Sequence, residues 1–195
     1  MKEIYNESFK GLDCDPRPII WVKEFDFDNA EIFIRTLDEY ETNDSVKEIY
    51  IYITSFGGEI PALFAMIDAM QNCKKPINTI AYGSAASCGA ILFIMGTGTR
   101  YIGSNSRLHI HHLRADIVDD MVGIKQETKT LSAMNDSLFK MISNRSKHTV
   151  TEIKNMLKSE NKEWSVTAKE AIKWNFADKI GTPKLKTSLI ITCEE

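Results

Sequence analysis

The amino-acid sequence predicts an α/β fold built on a mostly parallel sheet. Three short segments rich in β-branched and aromatic residues are each followed by a segment whose apolar residues recur at helical spacing. This β-α-β-α-β-α alternation is typical of parallel strands joined by right-handed helical crossovers. With 195 residues, 43% of them hydrophobic, the chain is long enough for one domain with its own core.

The first two units are read from the pattern of apolar residues. Ile19–Val22 is an apolar run that predicts a buried strand, and a helix follows behind Asp28 as the candidate N-cap. Residues 48–54 predict a second strand, which runs into the turn at residues 55–58. The apolar stripes of the two helices are Ala30, Phe33, Ile34 and Leu37, and then Leu63, Met66, Ile67 and Met70.

The third unit begins after Pro76, which ends the preceding helix. Residues 77–81 predict a strand, and a turn of small residues leads into an apolar helix at residues 88–95. Another strand is predicted at Arg107–His111.

A long helical segment follows, and its apolar stripe is too wide for a lone helix to bury, so we expect it to pack against a partner such as another subunit. The stripe consists of Leu131, Met134, Leu138 and Met141. Two capping boxes, Thr149 with Glu152 and Thr167 with Glu170, mark further helix starts.

The two ends of the chain lack such patterns. Residues 1–17 finish in the turn-like segment DCDPRP and predict a flexible arm. One domain is therefore expected at residues 18–183, followed by a C-terminal tail at residues 184–195.

Charge and hydropathy exclude two classes of partner. The net charge of -3 provides no basic surface for nucleic acid, and no run of like charge suggests a membrane surface. No apolar run reaches the roughly 18 residues of a membrane span, so we expect a cytoplasmic protein. The four cysteines are scattered without CxxC pairs, which indicates reduced thiols.

A candidate nucleophile lies in the AASCG segment at residues 85–89, where Ser87 stands between small residues at a strand-to-helix junction. This segment is similar to the G-x-S-x-G nucleophile elbow, with alanine in place of the first glycine. Such a turn exposes the serine hydroxyl and leaves the Cys88 N–H at a helix N-terminus, where it can face an oxyanion. An ordinary N-cap fits Ser87 equally well when the elbow is taken alone.

Gly57 and Gly58 follow a strand end in the same way. Their backbone can approach a ligand closely and supply a second N–H donor, although an ordinary loop explains this pair too.

A histidine cluster, His109, His111 and His112, ends the predicted strand at residue 111. The period of two places His109 and His111 on one face and His112 on the other. A zinc site is the alternative, but no third ligand occurs at a suitable spacing, so we predict no metal. The pattern favours His111 as a general base, while a histidine with a purely structural role is also compatible with it.

Together and in this order, these segments resemble the proteolytic subunit of Clp protease. ITSFGGE is similar to the strand and Gly-Gly turn of that family, YGSAASCGA to its nucleophile segment and SNSRLHIHH to its histidine strand. The resemblance extends from about Ile19 through SVTAKEAIKWNFADKI, which is similar to the last helix and closing strand. It implies the repeated β-β-α spiral shared with crotonases, a helical handle at about residues 112–148 and a reaction without cofactor.

The resemblance also implies roles for single residues. It makes the chain a serine endopeptidase with Ser87 as nucleophile and His111 as base, and it assigns the oxyanion hole to the N–H groups of Gly57 and Cys88. The third triad position, an aspartate in the family, falls on Glu163. A glutamate can orient imidazole, although its extra methylene requires the local backbone to retreat.

Glu163 has alternatives at this stage. It can be a solvated carboxylate beside Lys162, and Asn161 and Glu160 are the next candidates for the third position.

The resemblance implies polypeptide substrates, self-association into heptameric rings stacked as a tetradecamer, and an ATPase unfoldase as candidate partner. Three departures bear on this. Phe56 stands where the family has proline, residues 112–115 lack the family's proline and glycines, and the arm before Ile19 is unlike the family's N-terminal loops. Because of the unlike arm, the resemblance implies the fold but does not by itself imply docking of an unfoldase.

Two other functions stay open on the sequence. Glu163 and Phe56 are compatible with a catalytically silent ring subunit or scaffold, because displacement of one triad member costs several orders of magnitude in rate. A crotonase-type enzyme acting on acyl-CoA thioesters would share the fold and need no Ser–His pair.

Overall fold

Seven strands form the main sheet in the computed structural model, which describes residues 12–14, 18–159, 163–184 and 189–191. They are β2 (Ile19–Val22), β3 (Ile49–Ser55), β4 (Ile77–Ala86), β5 (Arg100–Ile102), β6 (Arg107–His111), β7 (Glu163–Thr167) and β8 (Lys179–Ile180). A separate ribbon pairs β1 (Leu12–Cys14) antiparallel with β9 (Leu189–Ile191). The other residues of the predicted arm, and residues 185–188 and 192–195 of the predicted tail, lie outside the described part of the chain.

The sheet is parallel in the order β2-β3-β4-β5-β8. Strand β4 is long enough to pair with two neighbours in turn. Its residues Thr79 to Ala81 pair with β5, and its residues Ser84 to Ala86 pair with β6. Strand β7 then adds to β6 as an antiparallel edge. The predicted α/β fold with a mostly parallel sheet is confirmed, whereas β5 and β7 were missed by the sequence pattern.

The helices are α1 (Phe27–Thr42), α2 (Ile60–Asn72), α3 (Cys88–Ile94), α4 (Met121–Asn144), α5 (Val150–Ser159) and α6 (Ala168–Lys173). The predicted apolar stripes of α1 and α2 face the core, apart from the partly buried Ile34. Both predicted capping boxes are present. The N-cap of α1 is Asp26 and not Asp28, because the Asp26 carboxylate accepts the backbone N–H of Asn29 at 2.7 Å.

Helix α4 makes up most of the predicted handle. Its C-terminal half packs in the core through Leu138, Phe139 and Ile142. The opposite end exposes apolar side chains, with Met121 81% and Val122 78% accessible. Within the described residues, no helix combines the length and hydropathy that crossing a bilayer requires.

A buried arginine joins β5 to the segment after α6. The Arg100 side chain is 5% exposed and forms two bonds to Asp178, from Nη2 to Oδ1 at 2.7 Å and from Nε to Oδ2 at 3.0 Å. Its Nη1 donates to the Asn175 carbonyl at 2.9 Å. Burial raises the pKa of Asp178, but the hydrogen bonds and charge of Arg100 outweigh it, so this pKa lies below its ordinary value.

We expect Asp178→Asn to lower the free energy of unfolding by about 2–4 kcal/mol, because it leaves the Arg100 charge buried without its counterion. Since the pKa of Asp178 is lowered, this contribution is complete near neutral pH and is lost as the pH falls below about 4. Urea denaturation of both proteins between pH 3 and 7 measures it.

The matched control is Asp136→Asn, which removes an exposed ion pair with Lys154 at 2.7 Å. It should cost less than about 1 kcal/mol. Equal losses in the two variants, or a difference that does not shrink in acid, would contradict the proposed contribution of Arg100 and Asp178.

Candidate active site

Ser87 occupies a strained turn between β4 and α3. Its backbone has φ 54° and ψ -120°, a conformation that residues with a side chain rarely adopt. The hydroxyl makes no capping bond to α3, so the structure does not support the interpretation of Ser87 as an ordinary N-cap. Instead, the Ser87 N–H donates to the His109 carbonyl at 2.8 Å, which ties this turn to β6. The geometry is that of a nucleophile elbow.

The turn after β3 lies directly against Ser87. A Cβ atom added to Gly57 would be 2.7 Å from the Ser87 Cβ and 3.1 Å from its Oγ, and Gly57 has φ +109°. Both facts require glycine here. The Gly57 N–H donates to the Ser55 hydroxyl at 3.0 Å, so it has a partner before any substrate arrives. The neighbouring Phe56 side chain is 88% exposed.

Cys88 and Gly58 fasten this turn to the start of α3. The Cys88 thiol donates to the Gly58 carbonyl at 3.2 Å, and burial raises the pKa of this thiol, which keeps it a neutral donor. The Cys88 N–H belongs to the first residue of α3, where the helix dipole favours negative charge. These contacts hold the backbone of both predicted oxyanion-hole residues near the Ser87 side chain.

Ser87 and His111 line one narrow cleft. The rest of the lining is apolar and consists of Ile60, Ile91, Ile110, Leu113, Leu138, Phe139 and Ile142. The structure therefore brings the predicted nucleophile and the predicted base to the same apolar cleft.

The His111 ring is oriented by a main-chain group. Its Nδ1 lies 2.6 Å from the carbonyl oxygen of His112, which can only accept a hydrogen bond. We therefore assign the proton to Nδ1. This tautomer leaves a lone pair on Nε2, which is the form that a general base needs.

Glu163 lies opposite His111 in the β6–β7 register, so the two side chains leave the sheet on the same face. Its carboxylate turns away from His111, however. Oε1 is 3.4 Å from His109 Nδ1, and Oε2 is 3.7 Å from Arg114 Nη2. The structure does not bring this predicted third member to the base. The fallback residues Glu160 and Asn161 lie outside the described residues.

A comparison with known protein families identifies the family of this chain. The family model of Clp protease matches residues 5–184. The chain belongs to the Clp protease family. This confirms the resemblance seen in the sequence, and at family level it supports a protease that forms a ring and handles polypeptide substrates.

His112 has a structural environment in this Clp protease family member. Its ring packs edge-on against Phe139 with centroids 5.1 Å apart, and it accepts a bond from the Asn135 amide at 3.3 Å. Burial, with the nearby charge of Lys154, lowers the pKa of His112. In the described ranges, no three His, Cys, Asp or Glu side chains converge as metal ligands would.

Sequence reasoning missed Asn135 altogether. This residue of the Clp protease chain lies on α4, far in sequence from the histidine strand, and its amide also accepts the Leu113 N–H at 3.0 Å. The available signal was its position on the side of α4 that faces the core, four residues before Phe139, where a polar side chain needs a partner.

Proposed function

We propose that this chain is a serine endopeptidase that degrades unfolded polypeptides or peptides through an acyl-enzyme. The observation that carries the proposal is the strained turn at Ser87, which presents a hydroxyl without a capping role to the cleft that His111 also lines. Strain of this kind persists only where surrounding structure enforces it, and it is typical of functional sites.

In the proposed reaction, His111 Nε2 accepts the Ser87 proton while Oγ attacks a peptide carbonyl. The resulting oxyanion is stabilised by the N–H groups of Cys88 and Gly57. The Gly57 N–H already donates a hydrogen bond to the Ser55 hydroxyl. This bond has to break before the Gly57 N–H can donate to the oxyanion. His111 then protonates the leaving amine, and water, activated by the same ring, releases the acyl group.

The cleft supports a peptide substrate. Its apolar lining suits one apolar side chain of the substrate next to the attacked carbonyl. An extended chain that pairs with the backbone near Gly57 would gain affinity from main-chain hydrogen bonds, which gives little sequence preference.

Self-association into heptameric rings, stacked as a tetradecamer, is part of the proposal. Three exposed apolar side chains support contacts between copies near the start of α4: Val118, just before the helix, and Met121 and Val122, in its first turn. A peptidase of low specificity is compatible with a cell only if folded proteins cannot reach its serines. An ATPase unfoldase that feeds the ring is therefore part of the proposal as a candidate partner.

A catalytically silent ring subunit is the second candidate. It is favoured by the position of the Glu163 carboxylate, which lies at His109 and Arg114 instead of His111. Such a subunit would keep the fold and the ring contacts but would not activate Ser87.

Intact-mass analysis after treatment with a small fluorophosphonate separates the two candidates. We expect one adduct per chain in the natural protein and none in Ser87→Ala, because only an activated serine attacks the reagent. The matched control is Ser84→Ala, which removes a partly buried serine from the same strand and should keep the adduct. Failure of the natural protein to react would support the silent subunit.

A further inference from the structure

A single peptide group, between residues 112 and 113, orients the ring of His111, the proposed base. The carbonyl oxygen of His112, which faces His111 Nδ1 at 2.6 Å, belongs to the peptide bond between residues 112 and 113. The N–H of that same peptide group is the Leu113 N–H, which donates to Asn135 Oδ1 at 3.0 Å. In a trans peptide, the C=O and N–H point in opposite directions within one plane. An acceptor that fixes the N–H on one side therefore fixes the carbonyl on the other.

Asn135 is well placed to hold this peptide. Strand β6 ends at His111, so the peptide after His112 is not held by the sheet ladder of β6. Asn135 Oδ1 accepts the N–H of this peptide at 3.0 Å, and Asn135 Nδ2 donates to the neighbouring His112 ring at 3.3 Å. Phe139, one turn further along α4, packs against the same ring. The contacts to this peptide therefore come from α4.

We propose that Asn135 is a positioning residue for the general base. It holds the 112–113 peptide so that its carbonyl, and not the Glu163 carboxylate, orients the His111 ring and fixes the proton on Nδ1. The inference deepens the proposed peptidase function and rests on it. The bond that Asn135 accepts from the N–H also polarises the carbonyl, which strengthens it as an acceptor.

Glu163 then has a subordinate part. Its side chain is 49% exposed and lies between His109 and Arg114, where it contributes a screened negative charge on the face that carries His111. Loss of that charge should only weakly destabilise the His111 imidazolium formed during the reaction. It should leave the tautomer of neutral His111 unchanged.

The test compares kcat and KM for a fluorogenic peptide, together with the fluorophosphonate labelling rate, in four variants. Asn135→Leu removes both hydrogen bonds and should lower kcat and the labelling rate by about 10- to 100-fold, because a misplaced base loses alignment. KM should change less than about threefold, since no substrate contact is removed. Asn135→Asp keeps an acceptor for the Leu113 N–H and should retain activity within about fivefold.

Two further variants complete the set. Asn144→Leu removes the same type of side chain from an exposed position at the C-terminal end of α4 and should leave kcat unchanged. Glu163→Gln should cost less than about tenfold, whereas an acid that orients the base costs about 10⁴-fold when it is made neutral. Melting temperatures check folding, and Asn135→Ser replaces Asn135→Leu if the leucine variant does not fold.

The outcomes are distinct. Unchanged kcat in Asn135→Leu, equal losses in the aspartate and leucine variants, or a loss near 10⁴-fold in Glu163→Gln would each overturn the positioning role while labelling of Ser87 upholds the peptidase. No labelling of the natural protein would overturn both proposals together.

Discussion

Replacement of His111 by alanine is expected to lower kcat for peptide hydrolysis by about 10⁴-fold, because it removes the group that accepts the Ser87 proton. KM should stay nearly constant, since an imidazole in this role contributes to the transition state and little to substrate binding. Steady-state kinetics on a fluorogenic peptide, together with the rate of fluorophosphonate labelling, measure both effects.

The matched comparison is His109→Ala, which removes an imidazole from the same face of β6. The His109 ring contacts Glu163 and not the cleft at Ser87, so this loss should stay below about tenfold, as expected for a partly exposed contact outside the cleft. Equal losses in the two variants, or a His111→Ala effect confined to KM, would argue against His111 as the base.

Gly57→Ala is expected to have the second largest effect on catalysis. The added methyl group would be 2.7 Å from the Ser87 Cβ and would force either the turn or the nucleophile to move. A displacement of about 1 Å at a reacting atom can cost about 10²-fold in rate, so we expect kcat to fall by at least that factor. The positive φ of Gly57 adds about 1–2 kcal/mol of destabilisation.

Gly83→Ala is the control that separates strain from steric contact. Gly83 also has a positive φ, of 66°, but a Cβ atom there would have no neighbour within 4 Å. It should lose about 1 kcal/mol of stability and keep its kcat. Steady-state kinetics measure kcat of both variants, and thermal melting measures their stability. Comparable losses of kcat would show that backbone strain, and not the contact with Ser87, causes the loss.

Elements with a strong local pattern could be predicted from the sequence. The strands at Ile19–Val22 and Arg107–His111 and the apolar stripes of α1 and α2 are confirmed, because burial of one face repeats along each segment. Strand β5 was missed because it has only three residues and contains Arg100, which is buried through a partner distant in sequence. The shift of the N-cap from Asp28 to Asp26 reflects two aspartates that both suit the start of α1.

The proximity of the candidate site residues could be predicted from the sequence, but their finer geometry could not. The resemblance to the Clp protease family, carried by three motifs in order, placed Ser87, Gly57 and His111 together, and the structure brings Gly57 and His111 to the vicinity of Ser87. The direction of the Glu163 carboxylate depends on rotamers and on His109 and Arg114, which no local pattern encodes. The triad role of Glu163 stays a prediction.

Strand β6, which carries His111, pairs with two strands that are far apart in the sequence. One neighbour, β4, precedes it, while the other, β7, begins only at Glu163. During translation, β7 leaves the ribosome several seconds after β6, since synthesis adds only some 5–20 residues per second. Until then, His111, the proposed base, lies on an unfinished sheet edge. We therefore expect His111 to reach its final position only after residues 163–167 have been synthesised, because these residues form the strand that pairs with it.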